Sequence, residues 1–218
     1  MKQPDAPGNT AVDAIMVTAI CFGWFILGSI QAVASGFPTR PFSDSFLVGV
    51  IALEGILAAT AIGYLLARSY NLAQLLPVPT AIGCLVGLAL YATTALVSWP
   101  LVFLIRVASP VRQPIEHMVA NATVSFLPVV AISVVNGLYE EVFLVGYLQR
   151  ALETSGVAFA IGASLLVRLL YHLYQGPGGA MSVLGFGLVL GVYFGWKRKL
   201  WPVVFAHMVA DIAGFSPW

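Results

Sequence analysis

Charge is what this sequence has least of: 9% of its 218 residues are Asp, Glu, Lys or Arg, where a soluble domain carries roughly 25%. With 60% hydrophobic residues, there is too little polar surface to coat a globule in water. Neither sign of charge dominates. A formal net charge of +1, with no long basic block, excludes the electrostatic footprint of a nucleic-acid binder. Cysteine is scarce as well. Cys21 and Cys84 both fall inside apolar runs, where a buried thiol behaves as a small hydrophobe, so no disulfide framework is implied. Internal repeats are lacking too, and with them the usual mark of a secondary transporter.

What the sequence has in abundance is long apolar runs. Seven are legible, at residues 14–33, 46–67, 77–105, 124–150, 157–174, 181–196 and 200–215. A ~30 Å hydrocarbon core needs about 20 apolar residues per helix, so the expected fold is all-α: a polytopic transmembrane bundle of about seven helices, forming one membrane-embedded domain over 1–218. The first run is too long for a signal h-region and its leader holds Lys2 against Asp5 and Asp13, which favours an uncleaved helix. The stretch 106–121, with Pro110, Arg112, Pro114, Glu116 and His117, reads as an interfacial loop, and Gln175-Gly176-Pro177-Gly178-Gly179 as a helix breaker. Gly187, Gly191 and Gly195 recur every four residues, which strips one helix face for close packing. Placing Lys197-Arg198-Lys199 in the cytoplasm puts Lys2, Arg68 and Arg150 there too, with Arg40, Arg106 and Arg112 opposite. The positive-inside rule then favours an inner N-terminus and an outer C-terminus.

Against this apolar background seven ionisable residues stand out: Glu54, Glu140, Glu141, Arg168, His172, His207 and Asp211. Each costs about 2.5–3.5 kcal/mol at the bilayer centre on insertion scales, so partners, a wet cavity or chemistry must compensate. Glu140 and Glu141 point about 100° apart on a helix and can serve different neighbours. His207 and Asp211 stand at i and i+4, on one helix face, as do Arg168 and His172. One such residue alone is as readily a hydrogen-bonded packing device. Three successive helical segments bringing Glu, His and Asp to a similar depth are harder to explain that way, and Glu54, without such company, reads as a packing or pathway residue.

Those segments carry motifs. The fourth run contains Glu140-Glu141-Val142-Phe143-Leu144-Val145-Gly146-Tyr147-Leu148, the fifth Arg168-Leu169-Leu170-Tyr171-His172, and the seventh His207-Met208-Val209-Ala210-Asp211 after Leu200-Trp201-Pro202. Their order and spacing resemble the CAAX prenyl protease 2 and bacteriocin-processing family of intramembrane proteases, also called CPBP or Abi, over a catalytic core at 127–214. Two positions depart from the family strings: Val145 stands at the Arg of Glu-Glu-x-x-x-Arg, and Arg168 at the Phe of Phe-x-x-x-His. The departures are read as compensating, through an ion pair between Arg168 and Glu141, since a guanidinium fork from another helix suits a carboxylate.

The resemblance implies an intramembrane endopeptidase, a hydrolase cutting a membrane-associated peptide, prenylated or leader-like. Glu140, Glu141, His172, His207 and Asp211 are its catalytic candidates, with Arg168 supporting. By the same resemblance Glu140 and His172 would activate a water, while His207 and Asp211 would hold the oxyanion or orient what holds it. Cofactors are expected to be none or one divalent metal such as zinc, held by Glu140, His172 and His207; two His and a carboxylate make a familiar zinc set, but the His-Glu-x-x-His helix is missing. No Gly-Asp pair and no Gly-x-Ser-Gly string supports an aspartyl or serine mechanism. Two rivals stand: a catalytically silent membrane scaffold or chaperone of the same family, and a small proton-coupled transporter. The expected partners are a peptide or protein substrate within the membrane and the lipid bilayer, with no nucleic acid. The expected location is a bacterial or archaeal plasma membrane, crossed many times.

Overall fold

The computed structural model describes residues 11–108 and 111–215; the leader residues Lys2 and Asp5 and the loop residue Pro110 lie outside them. Among the described residues there are helices and no strands, the only β pairing being an isolated bridge between Ser43 and Thr123. Helix α1 (Ala11–Ala34) and α2 (Asp44–Ala67) form a hairpin, and a 3-10 turn at Leu72–Leu75 leads to α3 (Ala81–Ala108). A short α4 (Pro114–Ala120) precedes α5 (Phe126–Glu140), which continues without a break as a π-helical segment at Glu141–Gln149. Then follow α6 (Val157–His172), α7 (Gly176–Lys197) and α8 (Leu200–Phe215).

Seven apolar rods therefore correspond to the seven runs, and the fold is the all-α membrane bundle expected. Five stretches are long and apolar enough to cross a bilayer. The fifth of them, Val157–Lys197, takes in both α6 and α7, and α8 is a shorter apolar helix. Large apolar side chains cover the outside: Trp24, Ile56, Leu85 and Leu96 are each about two-thirds or more exposed. In water such a surface would drive aggregation, whereas hydrocarbon wets it at no cost.

The inside is built from two principal clusters. Phe22, Leu65, Leu144, Tyr147 and Tyr171 pack α1, α2, the π segment and α6 together. Val145, Leu190, Phe194, Val203 and Val204 join the π segment to α7 and α8. Val145, at the position where the family string has Arg, thus belongs to a purely apolar cluster.

Two local expectations are corrected. The 106–121 loop contains about two helical turns, α4, because Pro114 fits the first helical position and Glu116 Oε2 accepts a hydrogen bond from the Gln113 N–H at 3.0 Å. His117 is exposed on it. The glycine-proline breaker also proves to be the first turn of α7, which begins at Gly176 rather than near residue 181. Pro177 again occupies the start of the helix, and Gly176, with φ +82°, makes the turn into it. Gly178 then donates its N–H to Gln113 Oε1 at 2.9 Å, which ties α7 to the loop before α4.

Candidate active site

Glu140 is the last residue of α5 and Glu141 the first of the π segment. Unwinding toward π geometry at such a point is a frequent companion of function. The two carboxylates diverge as their helical offset requires. Glu141 is fully buried and turned to the interior, while Glu140, also buried, reaches the wall of a cavity of about 640 Å³.

Arg168, from α6, bridges them. Its Nη2 donates to Glu141 Oε1 at 2.7 Å and its Nη1 to Glu140 Oε2 at 3.2 Å. The ion pair expected between Arg168 and Glu141 is present, and it extends to the second carboxylate. The guanidinium is buried and lies over the Phe186 ring, 5.5 Å from its centroid. Removing ions from water costs several kcal/mol apiece, which only such close multiple pairing offsets. Gly187 makes room for it: a Cβ there would stand 2.8 Å from Arg168 Cδ, so the arginine lies against the first glycine of the α7 stripe.

His207, from α8, closes the other side. Its Nδ1 is 2.6 Å from Glu141 Oε1, and its Nε2 lies 3.5 Å from Asp211 Oδ1 and 3.9 Å from Glu140 Oε2. Asn136, one turn before Glu140 on α5, donates from Nδ2 to Asp211 Oδ2 at 2.9 Å and stands 3.3 Å from His207 Nε2. Tyr171 donates its hydroxyl to Glu140 Oε2 at 2.5 Å. His172 closes α6, with Nδ1 3.0 Å from the Arg168 carbonyl; a proton on Nδ1 would satisfy that oxygen and leave Nε2 as an acceptor.

Glu140, His172 and Asp211 line the cavity, while Glu141, Arg168 and His207 stand behind them as support. The five catalytic candidates and Arg168 are thus within one neighbourhood. Asn136 and Tyr171 were missed. A neutral polar residue in an apolar run carries little insertion penalty, so the charge-based search passes over it; the only signal was Asn136 at i−4 from Glu140, which puts both on one helix face. Glu54 was read as lacking company, yet it lines the same cavity from α2.

Among the described residues, Glu140, Glu141 and His207 form a group whose donor atoms lie within 4.8 Å of one another, a group that does not include His172. The donor set fits a dication poorly, because the Arg168 guanidinium already takes both carboxylates and a metal would have to displace a fixed positive charge or sit beside it.

A comparison with known families finds a match over part of the chain. Residues 122–213 match the family described as Type II CAAX prenyl endopeptidase Rce1-like. No curated protein and no solved structure matches the chain. The matched segment, somewhat under half of the chain, holds Asn136, both glutamates, Arg168, Tyr171, both histidines and Asp211. Over residues 122–213 the chain is similar to the Type II CAAX prenyl endopeptidase Rce1-like family, in agreement with the resemblance of its three motifs.

Proposed function

We propose that this chain is an intramembrane endopeptidase that hydrolyses a peptide bond of a membrane-associated, prenylated or leader-like peptide by means of an activated water. The observation that carries the reading is the shared cavity wall: Glu140, His172 and Asp211 converge on about 640 Å³ of space inside an apolar bundle, backed by buried Arg168, Glu141 and His207.

Hydrolysis needs a base for water, a donor for the tetrahedral oxyanion and a site with little bulk water. Glu140 is the base. Its Oε2 takes the hydrogen bonds from Arg168 and Tyr171, which fix the carboxylate and leave Oε1 to accept the proton of a water in the cavity. His172 Nε2, unclaimed by the helix, holds that water from the second side. The proton taken by Glu140 passes to the leaving amine as the tetrahedral intermediate collapses. His207, when it carries both protons, donates through Nδ1 to Glu141 and presents Nε2–H toward the oxyanion; Asp211 and Asn136 orient it. Glu141 keeps Arg168 and His207 in place and does not touch substrate.

The test is cleavage of a fluorogenic peptide, ending in a farnesylated cysteine and three further residues, by the full chain in lipid nanodiscs. Glu140→Gln and His172→Ala are each expected to reduce kcat at least a hundredfold, the scale of losing a positioned acid or base. Equal turnover by the wild type and Glu140→Gln would overturn the reading.

One observation favours the silent-scaffold alternative: Glu140 Oε2 is already taken by the Arg168 guanidinium and the Tyr171 hydroxyl, as a carboxylate that only locks helices together would be. Under it, neither wild type nor variant cleaves, while Glu140→Gln keeps the wild-type effect on whatever membrane partner the chain holds.

A further inference from the structure

Glu54 lies in the middle of α2 and is 3% exposed. It is outside the matched segment, and no motif includes it. It stands nevertheless on the wall of the catalytic cavity with Glu140, Asn136, His172 and Asp211. It also lines a second cavity of about 330 Å³, whose other lining residues are apolar apart from Tyr139. Glu54 Oε2 is buried and has no hydrogen-bond partner among the described residues. Tyr139, beside it on both walls, is committed elsewhere, donating its hydroxyl to the Cys21 carbonyl at 2.5 Å.

A buried carboxyl oxygen without a partner is a penalty that packing does not require, since a leucine would fill nearly the same space without it. No Lys or Arg lines either cavity, so the walls offer Glu54 no cation. What can complete it is a polar group that arrives with the ligand. An extended peptide presents N–H and C=O groups in alternation, and a carboxyl group accepts from the first or, when protonated, donates to the second.

We propose that Glu54 is a substrate-contact residue, whose carboxyl group hydrogen-bonds a main-chain amide of the peptide bound in the catalytic cavity and so sets which bond faces Glu140. The proposal rests on the endopeptidase reading above. It gives α2, which lies outside the matched segment, a part in choosing the cleaved bond.

The test uses the same farnesylated fluorogenic peptide with the full chain in nanodiscs. Glu54→Gln keeps a donor and an acceptor at the same reach, so KM stays near the wild-type value. Glu54→Leu keeps the volume alone, so KM rises about tenfold, the scale of one lost hydrogen bond, while kcat changes little. Binding of the peptide to Glu140→Gln and to Glu140→Gln/Glu54→Leu, measured without turnover, separates this proposal from the one beneath it. Peptide that binds in a Glu54-dependent way but is never cut sinks the endopeptidase reading and leaves the contact. Glu140-dependent cleavage with wild-type KM in Glu54→Leu, or equal damage from Gln and Leu, sinks the contact and leaves the enzyme. A chain that neither binds nor cuts the peptide defeats both. If Glu54→Leu does not fold, Glu54→Asp replaces it: withdrawing the carboxyl by one methylene raises KM if the contact exists, and an unchanged KM overturns it.

Discussion

At the residue scale the site turns on one guanidinium serving two carboxylates. Arg168 is 2% exposed and pairs with Glu141 at 2.7 Å and Glu140 at 3.2 Å. Removing it leaves two buried negative charges with one imidazole between them. Arg168→Met is therefore expected to destabilise the bundle by about 3–5 kcal/mol, the cost of breaking a buried pair from one side. Adding Glu141→Gln to it should recover part of that loss. Thermal unfolding in detergent reads both; an unshifted midpoint in Arg168→Met would show the pair to be idle. Asn136 acts differently, through the imidazole it faces. With His207 no longer fixed on that side, Asn136→Leu should lower kcat about a hundredfold, the scale of a catalytic group displaced by 1 Å, with little effect on KM. A steady-state comparison checks this, and an unaltered kcat removes Asn136 from the machinery.

At the scale of elements, the cluster exists because α6 and α7 approach closely. The glycine stripe of α7 was legible as a packing face. Its consequence for chemistry was not, because the sequence does not say which side chain fills the groove. A Cβ on Gly187 would meet Arg168 Cδ at 2.8 Å and Leu165 Cδ2 at 2.9 Å, whereas on Gly195 it would meet Val157 Cγ1 at 3.3 Å. Gly187→Ala should thus displace the guanidinium and impair cleavage severely, and Gly195→Ala should be nearly neutral. Activity and unfolding midpoints of the two variants compare the sites directly; equal effects would mean that the stripe only packs helices. The start of α7 shows a similar limit of reading. Gly-Pro-Gly-Gly is a breaker by composition, yet Pro177 within the first turn costs no hydrogen bond, and whether the chain stops or starts there depends on Gln113 waiting at Gly178.

At the scale of the whole molecule, polar contacts divide between two ends. Arg68 pairs with Asp13, Arg150 with Gln74 and Arg198 with Glu153 at one end. Arg106 pairs with Glu116 at the other, where Asp44 also accepts the Ser125 N–H. This is the partition that alternating spans require. The cavity lined by Glu140 runs from Glu54 to Met118 of α4 and Phe215 at the close of α8, the end opposite Lys197. If the positive-inside rule fixes the Lys197 end in the cytoplasm, the cavity opens away from it. In a Cys21→Ser/Cys84→Ser background, a membrane-impermeant maleimide should label His117→Cys in intact cells and leave Lys197→Cys unlabelled until the cells are opened. The reverse pattern would invert the protein in its membrane.

Composition together with the length of the apolar runs determined that the chain is a helical membrane protein, since 60% hydrophobic residues with 9% charge suit no water-facing globule and runs of about 20 apolar residues suit membrane-crossing helices. Motif spacing determined which helices carry the acid and imidazole side chains that cluster, because i and i+4 fix a shared face before any packing occurs. The tertiary structure decided the rest: that Glu141 supports while Glu140 faces the cavity, that Arg168 spans both, and that Asn136, Tyr171 and Glu54 join them. Those facts depend on how helices rotate and meet around one hollow, a relation between distant segments that no local periodicity encodes.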